Sequence, residues 1–289
     1  MVRKTASMNV RKRLLLDPAA LDVTVSEAGT RATPGVKSRR RAEKDIAKLA
    51  PKLAELQERL FAEGASGGTR RVVLLLQGTD GSGKDGAVKH VVGLVNPAGV
   101  KVTSFGKPTE QERKHDFLWR ITNALPEAGY IGVFNRSQYE DVLVARVHDL
   151  VPPAEWEKRY DLINSWEAEQ VAAGFTFVKV FLHISREEQR QRLLARLQDV
   201  RKHWKVNPAD IDERALWESY RQAYVAMLQR CSTQAAPWYV VPADRKWYRN
   251  WAITRLLVET LEDLDPRWPV RPELDIPGMT KALQAPAAG

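Results

Sequence analysis

The chain has 289 residues, 44% of them hydrophobic, and a formal net charge of +9, which is length and apolar content enough for a core of ordinary size. Its one cysteine, Cys231, excludes an internal disulfide framework and a multi-cysteine metal site, and the expected role is that of a small buried hydrophobe. No apolar run reaches the ~18 residues a membrane helix needs, and Arg11-Lys12-Arg13 precedes only Leu14-Leu15-Leu16 before Asp17-Pro18, too short for a secretory signal, so a soluble, cytoplasmic protein is expected.

Residues 1–43 hold most of the net positive excess. Up to residue 41, ten Lys/Arg stand against Asp17, Asp22 and Glu27. Pro18, Gly29, Pro34 and Gly35 interrupt any periodicity, and the segment reads as an extended, mobile, solubilising arm. From Lys44 to Phe61, Ile46, Leu49, Leu53, Leu56 and Leu60 form a helical stripe. Strand-like runs follow at 72–77, 100–104, 130–134, 176–182 and 238–241. Helical stretches near 84–95, 109–124, 153–173, 186–203, 210–230 and 246–262 separate them. This alternation predicts an α/β fold, a parallel sheet sandwiched by helices, over residues 44–271. The proline-rich stretch Pro266 to Pro277 closes the core and leaves 272–289 as a second tail.

The first strand-like run leads directly into Gly78-Thr79-Asp80-Gly81-Ser82-Gly83-Lys84-Asp85-Gly86. A buried strand ending in close-spaced glycines turns backbone N–H groups toward an anion, and the following helix adds the positive end of its dipole. The spacing Gly78-x4-Gly83-Lys84 matches a P-loop, with Lys84 among the phosphate oxygens, but Asp85 stands where the template has Ser or Thr. That hydroxyl normally binds Mg²⁺, so the metal needs another oxygen, and Asp80 is the nearest candidate.

Ligands of such a sheet gather at the carboxyl ends of its strands. After the second strand, Thr109 and Glu112 form a capping box, and Lys107 lies within reach of a phosphate at the same edge. After the third strand comes Asn135-Arg136-Ser137-Gln138-Tyr139-Glu140-Asp141. Asn135 takes the place of the usual metal-holding acid, Arg136 is set to neutralise a transferring phosphoryl group, and Glu140 and Asp141 face the same cavity. Between Arg186 and Lys205 the cations Arg190, Arg192, Arg196, Arg201 and Lys202 interleave with Leu193, Leu194 and Leu197. Arg192 and Arg196 share a helix face, as on the flap that closes over the phosphoryl group in P-loop kinases, so a lid is expected near 186–210.

These segments, with Pro108-Thr109-Glu110-Gln111-Glu112, Glu188-Gln189-Arg190-Gln191-Arg192-Leu193, Trp204-Lys205, Ala236-Pro237-Trp238-Tyr239-Val240-Val241-Pro242-Ala243 and Lys246-Trp247-Tyr248-Arg249-Asn250-Trp251, occur in this order in the polyphosphate kinase 2 family. The chain resembles that family from about residue 44 to 268. The resemblance implies transfer of the terminal phosphoryl group of inorganic polyphosphate to a nucleotide, reversibly, with Mg²⁺ (or Mn²⁺) on Asp80 and phosphate on Lys84. Asn135 with the Tyr-Glu-Asp segment looks like class III, the subgroup that phosphorylates both nucleoside mono- and diphosphates, with Glu140 at the monophosphate acceptor. A homo-oligomer is also implied.

The acceptor oxygen of a nucleotide phosphate is already deprotonated near neutral pH, so no strong general base is required and none of the five histidines need be catalytic. The expected site is therefore electrostatic. Lys84, Arg136, Arg192 and Arg196 supply charge around Asp80. Gly81, Ser82, Gly83, Asp85 and Gly86 cradle phosphate, and Lys107, Arg120 and Lys205 extend a polyphosphate groove. Asn135, Glu140 and Asp141 meet the nucleotide, while Trp247, Tyr248 and Trp251 pack the last helix. An ATP-dependent nucleotide kinase would share the fold but ordinarily carries Ser or Thr at 85. A GTP-binding switch would need an Asn-Lys-x-Asp segment, which the sequence lacks. A non-enzymatic binder of nucleic acid or another polyanion would explain the arm but neither Asp80 nor the lid. A kinase should keep its activity without residues 1–40; such a binder should not.

Overall fold

Five parallel strands in the computed structural model form one sheet in the spatial order β2-β3-β1-β4-β5: β1 (Arg71–Gln77), β2 (Val100–Ser104), β3 (Ile131–Asn135), β4 (Phe175–His183) and β5 (Trp238–Pro242). The structure describes residues 9–21 and 25–285. Strands covered on both faces need apolar side chains on both, which is why the central strands read as unbroken apolar runs. In β1, Val72, Leu74 and Leu76 point into one core and Val73 and Leu75 into the other.

The first face carries α1 (Val10–Leu14), α2 (Arg39–Ala65), α3 (Lys84–Val92) and α10 (Lys246–Leu264). The second carries α4 (Trp119–Ala124), α5 (Glu140–Val147), α6 (Pro153–Ala172) and α9 (Trp217–Cys231). Between β4 and α9 the chain leaves the sheet through α7 (Arg186–Gln198), a 3-10 turn (Val200–Lys205) and α8 (Ala209–Ala215). Helix α11 (Ile276–Gln284) ends the described chain and buries no residue. Among the described residues no helix is long and apolar enough to cross a membrane.

All five strands lie where the apolar runs place them. Three helical stretches are interrupted, two of them by local side-chain chemistry. In 109–124 the capping box forms, with Thr109 N–H donating to Glu112 at 2.7 Å and Glu112 N–H to Thr109 Oγ1 at 3.2 Å. It leads only into a 3-10 turn, and Asp116, accepting from Leu118 N–H, restarts the chain as α4. Asp199 accepts from Arg201 N–H and ends α7, and the 210–230 stretch divides at Leu216.

The arm, expected to be extended and mobile, packs against the sheet where it is described. Val10, Leu14 and Val36 enter the first core and Leu16, Leu21 and Val25 the second. Glu259 accepts the N–H groups of Val10 and Arg11 at 3.0 and 2.9 Å. Leu15 bridges Tyr239, and Leu16 N–H donates to Trp238 O at 2.9 Å. Sheet edges present unpaired backbone groups, and the arm covers that of β5. Residues 1–8, 22–24 and 286–289 of the two expected tails lie outside the described residues.

Candidate active site

The P-loop follows β1 and opens toward the carboxyl ends of β3 and β4. Gly83 has φ 102°, a left-handed conformation that glycine adopts without strain, and the Arg249 guanidinium packs where a Cβ would stand. Lys84 starts α3 and folds back under its own loop, with Nζ donating to Gly78 O at 2.6 Å and Thr79 O at 3.3 Å. Burial, and then Arg136, push its pKa below the ordinary lysine value against the pull of Asp80. Burial works to raise the Asp80 carboxyl, but Lys84 and Arg136 together bring it below the usual carboxylate range. The Ser82 hydroxyl is buried under the loop without a partner.

From β3, Asn135 Nδ2 donates to Asp85 at 2.9 Å and Arg136 Nη2 donates to Asp80 at 2.9 Å. Arg136 has φ 67°, a left-handed conformation that costs a non-glycine residue roughly 1–2 kcal/mol. The turn is held by Arg136 N–H donating to Leu76 O at 3.0 Å, by Gln77 Nε2 donating to Glu140, and by Arg136 lying 3.8 Å from the other Glu140 oxygen. From the 3-10 turn, Lys205 Nζ reaches Asp85 Oδ2 at 2.6 Å and holds that carboxyl below its ordinary pKa, with Asn135 assisting against burial. The aspartate in place of the P-loop hydroxyl thus bridges β3 and the chain beyond α7.

These groups enclose a cleft of ≈ 980 Å³ whose wall includes Asp80, Lys84, Asp85, Asn135, Arg136, Arg192, Arg196, Lys202, Lys205, Asp210, Lys246 and Arg249. Eight Lys or Arg and four Asp or Glu line it, an excess of cations suited to a polyanion. None of the five histidines is on the wall.

Four expected roles change. Arg192 spends all five N–H donors on the protein: Nη1 on Gly81 O (2.9 Å) and Ser82 O (2.8 Å), Nη2 on Ala243 O (2.6 Å) and Asp244 O (3.0 Å), and Nε on Glu188 (2.8 Å). It clamps the P-loop backbone to the end of β5 and has no donor left for a phosphoryl group. Arg120 is 8% exposed and bonded to Gly106 O and Asp141, so it is not part of an open groove. Asp141, flanked by Arg120 and Arg159 at 3.4 Å each, pins α5 and α4 together and is not on the cleft wall. Lys107 is exposed and off the cleft wall. Arg196 does face the cleft, held by Lys205 O at 3.2 Å and Asp210 at 3.0 Å.

The helical periodicity of the last helix passes over two residues of the wall. Arg249, on α10, donates to Gly83 O at 3.0 Å and to Asn250, and burial followed by the nearby Arg192 pulls its pKa down to about 10. Lys246, one turn earlier, is lowered by burial, Arg192 and Arg249. A cationic pair, Lys246 and Arg249, in the first turn of the helix that follows β5 at the carboxyl edge of the sheet is the sequence signal that could have found them.

Residues 36–269 match the family model for polyphosphate kinase 2. An AMP/ADP-polyphosphate phosphotransferase of Meiothermus ruber is 49% identical over 224 residues, 78% of this chain and 82% of that protein. An ADP-polyphosphate phosphotransferase of Rhodopseudomonas palustris is 43% identical over 230 residues, covering 75% and 78%. The crystal structure of polyphosphate kinase 2 from Arthrobacter aurescens superposes with a TM-score of 0.89 at 44% identity, over 95% of this chain and 96% of that one. The matched span contains every residue of the cleft wall, and with the sheet order and the loop chemistry it establishes that this chain belongs to the polyphosphate kinase 2 family.

Proposed function

We propose that the protein transfers the terminal phosphoryl group of inorganic polyphosphate to ADP and to AMP, forming ATP and ADP, and that the transfer is reversible. The observation that carries this is the cation-lined cleft over a P-loop, with no histidine on its wall. A linear polyanion donor needs distributed positive charge, and a deprotonated phosphate acceptor needs alignment and charge neutralisation, not a general base.

Lys84 and Arg136 flank the reacting phosphoryl group. Arg196 and Lys205 belong to a lid, residues 186–215, that exchanges its contacts with Asp210 and Asp85 for phosphate oxygens. Glu140, tied to Gln77 and Arg136, faces the acceptor, and Arg192 keeps the loop in shape without touching it. Asp80 fits a divalent ion such as Mg²⁺ or Mn²⁺: its carboxylate is 39% exposed at the cleft wall, and its lowered pKa keeps it ionised. Mg²⁺ is commonly taken up with one or two carboxylates and substrate phosphates, a role open to Asp80. Bound there, the ion would neutralise phosphate charge and help align donor and acceptor.

The test mixes purified protein, Mg²⁺, long-chain polyphosphate and either AMP or ADP, supplies no ATP, and separates the nucleotides by chromatography. ADP and ATP are expected from AMP, and ATP from ADP. Product that appears only when ATP is the donor would overturn the proposal.

A further inference from the structure

The turn that carries Arg136 and Glu140 is gripped from below by a fully buried polar network. Ser137, Gln138 and Tyr139 are all 0% exposed, and Gln138 and Tyr139 turn their side chains to a buried ion pair on the second face of the sheet. Glu167 on α6 accepts from Gln138 Nε2 at 2.9 Å and from the Tyr139 hydroxyl at 2.8 Å through one oxygen, and from Lys179 Nζ at 2.6 Å through the other. Lys179, on β4, gives its remaining donors to Tyr139 Oη at 2.8 Å and Cys231 O at 2.7 Å. The lysine is thereby fully satisfied, and the tyrosine hydroxyl both donates and accepts.

A dry ion pair of this kind is a poor source of stability, because apolar residues of similar volume commonly serve as well. What it supplies is direction. It offers one acceptor and one donor at fixed points, and only one setting of Gln138 and Tyr139 meets both. On the cleft side Ser137 Oγ and the Glu140 carboxylate both meet Gln77 at the end of β1. The turn, strained at Arg136, is therefore clamped between Gln77 and the buried pair.

We infer that Lys179 and Glu167 are positioning residues that act through Tyr139 and Gln138 to set Arg136 and Glu140, and thereby the balance between monophosphate and diphosphate acceptors. ADP brings one more phosphate than AMP to the cations of the cleft, so the shorter acceptor depends more on the placement of this turn. The inference rests on the proposed function.

Tyr139→Phe removes the hydroxyl and leaves Lys179 and Glu167 paired with each other. Lys179→Met/Glu167→Met removes both charges together. Steady-state kcat and KM are measured for AMP and for ADP with polyphosphate in excess, alongside the thermal midpoint and the KM for polyphosphate. In folded Tyr139→Phe enzyme kcat/KM for AMP is expected to fall about tenfold or more and that for ADP by less than about threefold, with the KM for polyphosphate unchanged. The double variant should show the same skew; if it does not fold, Tyr139→Phe decides alone. Loss of correctly folded enzyme would lower both acceptors by one factor, so equal losses, or no change, in folded Tyr139→Phe overturn the inference. A wild type confined to one acceptor overturns it as well. A wild type that transfers nothing from polyphosphate refutes the functional proposal itself.

Discussion

Replacing Arg192 by lysine separates charge from geometry. The substitution keeps a cation on α7, but an ammonium has three N–H donors on one nitrogen, while the guanidinium reaches five acceptors between 2.6 and 3.0 Å away on three segments. At least two of those acceptors lose their partner. Each unpaired buried acceptor costs about 1–3 kcal/mol, so the loss is about 2–6 kcal/mol, a large share of the ~5–15 kcal/mol that holds a domain together. The carbonyls are those of Gly81 and Ser82 in the P-loop and of Ala243 and Asp244 after β5, so losing either pair frees the P-loop from the end of β5. Misplacement by about 1 Å near a reacting group is worth on the order of a hundredfold in rate. Arg192→Lys should therefore lose most of its turnover and melt several degrees lower, close to Arg192→Ala, in a polyphosphate-dependent nucleotide assay paired with thermal denaturation. A lysine variant that matches wild type in both measurements, beside an inactive alanine variant, would mean that Arg192 acts by charge alone.

Lys84→Ala should abolish transfer and leave a folded protein by circular dichroism, since the lysine's bonds stay within its own loop; normal turnover would remove Lys84 from the site. Leu14→Ala, in the arm at 3% exposure, should cost about 2–5 kcal/mol in denaturant unfolding, and an unchanged midpoint would refute the packing of the arm. His90 is held by burial, then by Arg249, at about 4 instead of 6.5. Between those values the unfolded chain binds more protons, so stability falls as pH drops from about 6.5 to about 4. Unfolding free energies measured across that range should show the slope in wild type and a shallower one in His90→Gln.

The central strands were legible because a strand buried on both faces leaves an apolar run such as Val72–Leu76, while the edge strand β2 has no buried residue and shows only as a short β-branched stretch. The P-loop was legible for a related reason, since Gly83 and Lys84 are close in sequence and their partners lie in the same short segment. The partners of Arg192 were not. Periodicity locates a side chain on a helix face, but its four carbonyl acceptors belong to the P-loop and to the end of β5, far away along the chain. Asp141 and Arg120 misled for the opposite reason: sequence places both near the cleft, and only packing shows that they neutralise each other off its wall. In the arm, Val10, Leu14, Leu16, Leu21, Val25 and Val36 are spaced too irregularly for either period to register. They divide between the two faces of the sheet while the chain crosses its edge. Truncation to residue 40 therefore removes part of both cores, so a loss of activity on truncation would report on the fold as much as on the function.

The strap over β5 also imposes a timetable. Leu15 and Leu16 are made long before Trp238 and Tyr239, the strand residues they cap, so on the ribosome they must wait until nearly all of the sheet has been synthesised. Contacts of such long sequence separation close slowly. The same arm ties Thr30 to Asp244, whose carboxylate also accepts from Ser185 N–H at the start of α7. The wall residues Lys246 and Arg249 follow Trp238 and Tyr239 in the chain, so the docking of this early basic segment and the completion of the cleft both wait for the last strand and the helix beyond it.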